Sequence, residues 1–213
     1  MRWTALLAVA VPTLALAQPA PRSAGVDARA LHQVASCLIK ADARRAAAFL
    51  ATAPTEPQTR LLADLQEPLA QCAADVGGEG TQLRLSAAAL RGPIAEALFE
   101  RDFNGWSARS GRRPLAVYPL TPPPAQVPRA RMLADMAACV ADQRPAEVLA
   151  LLRTEPASAG ESQATEALVP ALAPCFRAGQ SADVTRAQLR GLLAEAAYRR
   201  AALATGLPRP TSS

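Results

Sequence analysis

The fold class this sequence predicts is all-α: two tandem four-helix modules related by internal duplication, each with one intramodule disulfide. Three observations carry that reading. Apolar residues recur at helical spacing, the pattern repeats over most of the chain, and the four cysteines fall at matching places in the repeat. The plainest echo is "LRGPIAEAL" at 90–98, which returns as "LRGLLAEAA" at 189–197. No run of alternating β-branched residues competes with it.

Leu31, Val34, Ala35 and Leu38 form an i, i+3, i+4, i+7 stripe, and Leu133, Met136, Ala137 and Val140 form the same stripe 102 residues later. That spacing gives the opening helix of each module one apolar face. "FLATAP" at 49–54 and "LLRTEP" at 151–156 each end a short second helix at a Thr-x-Pro stop. Leu61, Leu65, Leu69 and Cys72 then match Ala164, Leu168, Leu172 and Cys175 at an offset of 103, so one residue has been inserted. The closing helices start after Ser86 and Thr185, whose hydroxyls can accept a backbone N–H at a helix N-terminus. They carry Leu90, Ile94, Ala97 and Leu98 on one face in the first copy, and Leu189, Leu193, Ala196 and Ala197 in the second. The predicted helices are 28–40, 43–51, 57–74 and 87–101 in module 1 (28–101), and 130–142, 145–153, 160–177 and 186–203 in module 2 (130–204).

Residues 1–17 read as a secretory signal: Arg2, an apolar run from Leu6 to Leu16, and the small-residue site Ala15-Leu16-Ala17 before Gln18. The run is short and interrupted by Pro12, and no later stretch in the mature chain is apolar for long enough to span a bilayer. The expected location is therefore the periplasm or the exterior. Residues 18–27 and 205–213 are expected to be disordered. A Pro-rich connector, 102–129, holds six prolines between 114 and 128 together with Trp106 and Tyr118. Proline fixes φ and lacks an N–H, so this stretch should be extended. Its aromatic residues should pack back over the modules, the competing reading being a partner contact.

Cys37 and Cys72 are separated by 35 residues, Cys139 and Cys175 by 36. Four cysteines allow three pairings, but a duplicated unit should keep its bridge to itself, giving Cys37–Cys72 and Cys139–Cys175. Zinc sites favour close Cys-x-x-Cys pairs or neighbouring histidines, and redox pairs favour Cys-x-x-Cys; neither pattern is present.

The charge is +5, with 22 of the 23 basic residues arginine. The basic residues are spread along the chain instead of gathered with aromatics, which argues against a nucleic-acid partner. No nucleophile elbow, phosphate-binding glycine loop, zinc helix or haem attachment motif occurs, so no catalytic residue, cofactor or metal ligand is assigned. His32, the only histidine, falls about 100° from the apolar stripe, as a flank residue near the surface. Its counterpart in the second copy is Ala134.

In the repeated phrase, Arg91 and Glu96 recur as Arg190 and Glu195. Five residues along a helix place two side chains about 140° apart, so neither Arg can pair with the Glu of its own copy. Gly92 and Gly191 mark places where another helix crosses closely, and the adjacent arginines can reach the carbonyls at a neighbouring helix end. Pro93 should bend or restart its helix where Leu192 lets the other continue. Arg91 and Arg190, with Trp106 and Tyr118, are the candidate ligand or partner contacts. The alanine-rich, aromatic-poor composition predicts a thin core without a roomy cavity.

The exported start, the two cysteine pairs and the repeated "LRGxxAEA" together resemble a group of exported duplicated-cysteine helical proteins of GC-rich Gram-negative bacteria. The resemblance spans the mature chain and implies export, but attaches no activity, substrate or catalytic residue. The preferred functional reading is a non-enzymatic envelope protein that binds or supports an envelope protein or cell-surface component. The alternatives are an envelope-directed enzyme using Glu96 and Glu195 together, and a small-molecule carrier with a pocket between the modules.

Overall fold

The computed structural model of the chain describes residues 27–51, 63–77, 86–106, 128–176 and 182–206, and among them it is all-helical. The helices are α1 (Ala28–Ala51), α2 (Gln66–Gly77), α3 (Ala87–Phe103), α4 (Pro128–Gln143), α5 (Pro145–Leu152), α6 (Ala159–Leu172) and α7 (Arg186–Thr205), with a 3₁₀ turn at Ala173–Cys175 after α6. The expected signal segment (1–17), residues 18–26, Tyr118, the rest of the connector from 107 to 127 and the C-terminal residues from 207 lie outside the described residues. No helix among the described residues is long and apolar enough to cross a membrane.

Local chemistry accounts for the boundaries. α1 is two helical stretches meeting at Asp42, whose backbone is non-helical (φ −152°, ψ 75°). The Asp42 carboxylate accepts from the Arg45 N–H at 3.0 Å and so caps the second stretch. This break separates the two helices expected at 28–40 and 43–51. Ser86 caps α3 by accepting from Ala89 N, and Thr185 caps α7 in a full capping box with Gln188. Gly206, left-handed at φ 69°, closes α7, which therefore runs a little past its predicted end.

Two prolines act differently on their helices. Pro93 does not restart α3, which runs on as one helix to Phe103. Packing on the buried faces of Leu90, Ile94, Ala97 and Leu98 outweighs the one missing backbone bond. The helix expected over 160–177 instead ends at Leu172: Pro174 has no N–H to continue the α ladder, and the chain tightens into the 3₁₀ turn.

Both expected disulfides form, each within one half of the chain. Cys37 on α1 joins Cys72 on α2, and Cys139 on α4 joins Cys175 in the 3₁₀ turn, with Cα–Cα distances of 5.7 and 5.6 Å. Buried residues from both halves of the chain, among them Leu38, Phe49, Leu90 and Leu98 with Met136, Leu151, Leu168 and Leu193, form one continuous core. The two halves are a single body, joined chiefly where α3 packs on α7. At the C-terminal end of α3, Trp106 is half-buried and meets Phe99 edge-on, while Phe103 meets Tyr198 of α7.

The α3–α7 contact depends on two missing side chains. A Cβ added to Gly92 would overlap the Cα of Gly191, and one added to Gly191 would stand 2.9 Å from the Cα of Gly92. The backbones touch directly, and each glycine is the reason the other is needed. Alanine at position 92 would gain about 1 kcal/mol of helix propensity and lose more than that by forcing the helices apart, since overpacking costs about 1–3 kcal/mol even where side chains can yield. Gly92→Ala is therefore expected to lower the urea midpoint despite its better propensity; a midpoint equal to or above wild type would show that the contact is looser than described.

Candidate functional site: a cleft over the helix crossing

Four charged side chains flank the Gly92–Gly191 contact and pair across it. Arg91 of α3 donates through Nε and Nη2 to the two carboxylate oxygens of Glu195 on α7, at 2.8 and 2.7 Å. Reciprocally, Arg190 of α7 donates through Nε and Nη2 to Glu96 of α3, with Nε at 2.9 Å from Oε2. The Arg and Glu five residues apart within one phrase thus find each other's counterparts in the opposite helix. All four side chains are nearly inaccessible, at 7 and 13 % for Arg91 and Glu195 and 5 and 4 % for Arg190 and Glu96. Burial on this scale is tolerable only because the charges are matched in bidentate geometry.

Each guanidinium also fastens its helix to another. Arg91 donates to the carbonyls of Phe49 and Leu50 at the end of α1, and its guanidinium lies over the Phe49 ring. Arg190 donates to Leu151 O and Leu152 O at the end of α5, and to the carbonyl and hydroxyl of Thr154 in the Thr-x-Pro stop. Carbonyls at a helix C-terminus have no intrahelical donor and carry partial negative charge, so a buried cation serves them well. Arg190 has a further partner in the buried Glu161, whose second oxygen takes the Ala157 N–H at 2.7 Å. Burial opposes the charge on Arg190, but the hydrogen bonds and charges of Glu96 and then Glu161 outweigh it and raise the Arg190 pKa.

Above this floor lies a cleft of about 520 Å³, lined by both halves of the chain, including Leu31, Ala89, Leu133, Ala134 and Leu192 as well as the four paired charges. The volume falls within the usual range for small-molecule sites. The composition pointed to a thin core without such a space; the correction comes from the same alanines. The glycines let α3 and α7 touch, and the small alanine side chains along the cleft leave the space above that contact unfilled.

His32 lies on the flank of the buried stripe, partly exposed, as its helical angle indicated, but it does not simply face solvent. α1 packs on α3, and this turns the imidazole toward two carboxylates, with Nδ1 3.8 Å from Glu96 Oε1 and Nε2 3.8 Å from Glu100 Oε1. Its side chain is 21 % exposed, and Nδ1 is buried without a hydrogen-bond partner. The corresponding corner of the other half is built differently. Ala134 stands in place of His32, and Arg199, in the position matching Glu100, donates to Glu195 at 3.2 Å and to Leu50 O at 2.8 Å. Sequence reasoning passed over Glu100, Arg199 and Glu161. Reading the repeated phrase two residues further, to "FE" at 99–100 against "YR" at 198–199, exposes the charge reversal.

Of the candidate contacts, Arg91 and Arg190 lie at the cleft floor with their donors directed to protein partners. Trp106 does not line the cleft and packs on the aromatic cluster instead. Glu96 and Glu195 do line the same cleft, as an enzyme using both would require, but both oxygens of each are engaged by guanidinium donors and neither is placed to exchange a proton with a substrate. No protein-family model matches the chain, and no curated protein or solved structure is significantly similar to it.

Two measurements check this geometry. Glu195→Ala leaves buried cationic groups short of their carboxylate and is expected to cost about 3–5 kcal/mol by urea unfolding, with Arg91→Met/Glu195→Leu recovering most of the loss, as matched apolar replacements of buried pairs do. Glu100 supplies a pH test. Burial raises its carboxyl pKa above the ordinary value; His32 partly offsets this, Glu96 adds to it and Arg190 opposes it. The folded state therefore holds the Glu100 proton more tightly than the unfolded chain. Its contribution to stability is present at pH values below the unfolded pKa and is lost as pH rises through the folded one. In chelator, Glu100→Gln should melt above wild type at neutral pH, with the gap closing as pH falls below the ordinary carboxylate range.

Proposed function

We propose that this chain is an exported envelope protein of two duplicated four-helix modules that acts by binding rather than by catalysis, and that its ligand is a small, largely apolar molecule held in the cleft between the modules. The observation that carries the proposal is the cleft itself: alanine and leucine walls drawn from both halves, over a floor whose charges neutralise one another. An apolar molecule gains from leaving water for such a surface at roughly 25 cal/mol per Å², and it meets no unpaired charge in the four-residue floor. Export is supported by the two disulfides, which persist in oxidising compartments, and by the signal-like start of the sequence. The offsets of 99 to 103 between matching residues, and the exchange of equivalent Arg–Glu pairs across the crossing, support the duplication.

Native mass spectrometry of untagged protein from its own host's envelope fraction tests the binding reading. Wild type is expected to carry a reproducible extra mass that leaves on denaturation. Ala89→Trp, which places a large side chain in the cleft from an exposed position, should be folded and bare. A bare wild type whose melting temperature no member of an apolar ligand panel raises would refute the reading, and an extra mass retained by Ala89→Trp would remove the ligand from the cleft.

A further inference from the structure

We propose that His32, Glu96 and Glu100 form a binding site for a divalent transition-metal cation of the zinc type, at one edge of the cleft. The site stands on its own geometry, whether or not the cleft holds an organic ligand.

The first ground is placement. Glu96 and Glu100 are one turn apart on α3, and the α1–α3 packing brings His32 between them, so that one donor atom from each residue lies within 4.8 Å of the others. Ligands around a tetrahedral zinc stand about 3.3 Å apart, from bond lengths near 2.0–2.1 Å. Closing the difference falls mainly to Glu100, whose side chain is 48 % exposed and free to swing inward, while Glu96 is fixed. An imidazole nitrogen with two carboxylates is a donor set suited to zinc and its neighbours, whereas calcium and magnesium prefer oxygen alone. Three protein ligands leave a fourth position open, the arrangement of sites that take up an exchangeable ligand.

The second ground is the orphan nitrogen. His32 Nδ1 is buried with no hydrogen-bond partner and points toward Glu96 Oε1, 3.8 Å away. A buried polar atom left unmet is costly, and a cation between the two would supply the partner that Nδ1 lacks. Arg190 does not displace that cation; by gripping Glu96 through Nε and Nη2 it orients the carboxylate, as outer hydrogen-bonding partners commonly do for metal-binding carboxylates.

The third ground is the asymmetry of the two halves. Around Glu195, the protein provides a second cation of its own, Arg199, and no imidazole. Around Glu96, the position matching Arg199 is a carboxylate and the position matching Ala134 is the histidine. The built-in cation of one corner is replaced in the other by the groups that would hold an external one.

The test uses untagged, oxidised, chelator-stripped full-length mature protein and zinc alone. Because His32 is the only histidine, its ring protons give one set of NMR signals, and stoichiometric zinc at pH 7.5 is expected to shift them; signals unmoved at saturating zinc would overturn the proposal without any variant. By calorimetry, wild type should bind one zinc, and His32→Ala and Glu100→Gln, each verified as folded by circular dichroism, should bind it at least tenfold more weakly. Wild-type affinity in either variant would mean that the metal sits elsewhere, and would overturn it equally.

Discussion

The structure depends on the bare contact between Gly92 and Gly191. With no Cβ on either residue, two helix backbones meet, and the arginine preceding each glycine is carried close enough to reach the glutamate beyond the other. The buried charges follow from that proximity and could not be tolerated without it. An isolated half would hold one arginine and one glutamate that cannot reach each other along their own helix, so each half depends on the other to satisfy its buried charges. The same two arginines close the ends of α1 and α5, so the crossing also fixes the short helical stretch that ends at Leu50 in one half and at Leu152 in the other.

Around that near-symmetric centre the two halves differ in one corner. Where α7 offers Arg199, α3 offers Glu100, and where α4 offers Ala134, α1 offers His32. The corner with the histidine carries excess negative charge and a buried nitrogen without a partner, while its counterpart is filled by protein donors.

Much of this was legible before any coordinates. The helical stripes, the caps at Ser86 and Thr185, the break between α1's two stretches and both disulfide pairings follow from spacing and residue type, because each is set by local geometry or by the logic of a repeated unit. The reach of the arginines to helix-end carbonyls was also legible, from a glycine beside a long cation. What periodicity could not supply was rotation and depth. A residue 100° from an apolar stripe can face solvent or a neighbouring helix, and only the packing of α1 on α3 decides that His32 meets Glu96 and Glu100. The cleft was invisible for a similar reason: composition reports the sizes of side chains but not which of them the packing brings to line a common space. Pro93 shows a third limit, since one lost backbone bond is outweighed by tertiary burial that no local rule registers.

The two disulfides close loops that follow one another along the chain and do not overlap. A polypeptide that emerges N-terminus first presents Cys37 and then Cys72 before Cys139 has appeared, so an oxidant that joins thiols in order of arrival makes the native pairs directly. Of the three pairings open to four cysteines, only this one requires no bond to wait for a distant partner and none to be broken and remade. The native connectivity is thus the one that oxidation in chain order yields without rearrangement.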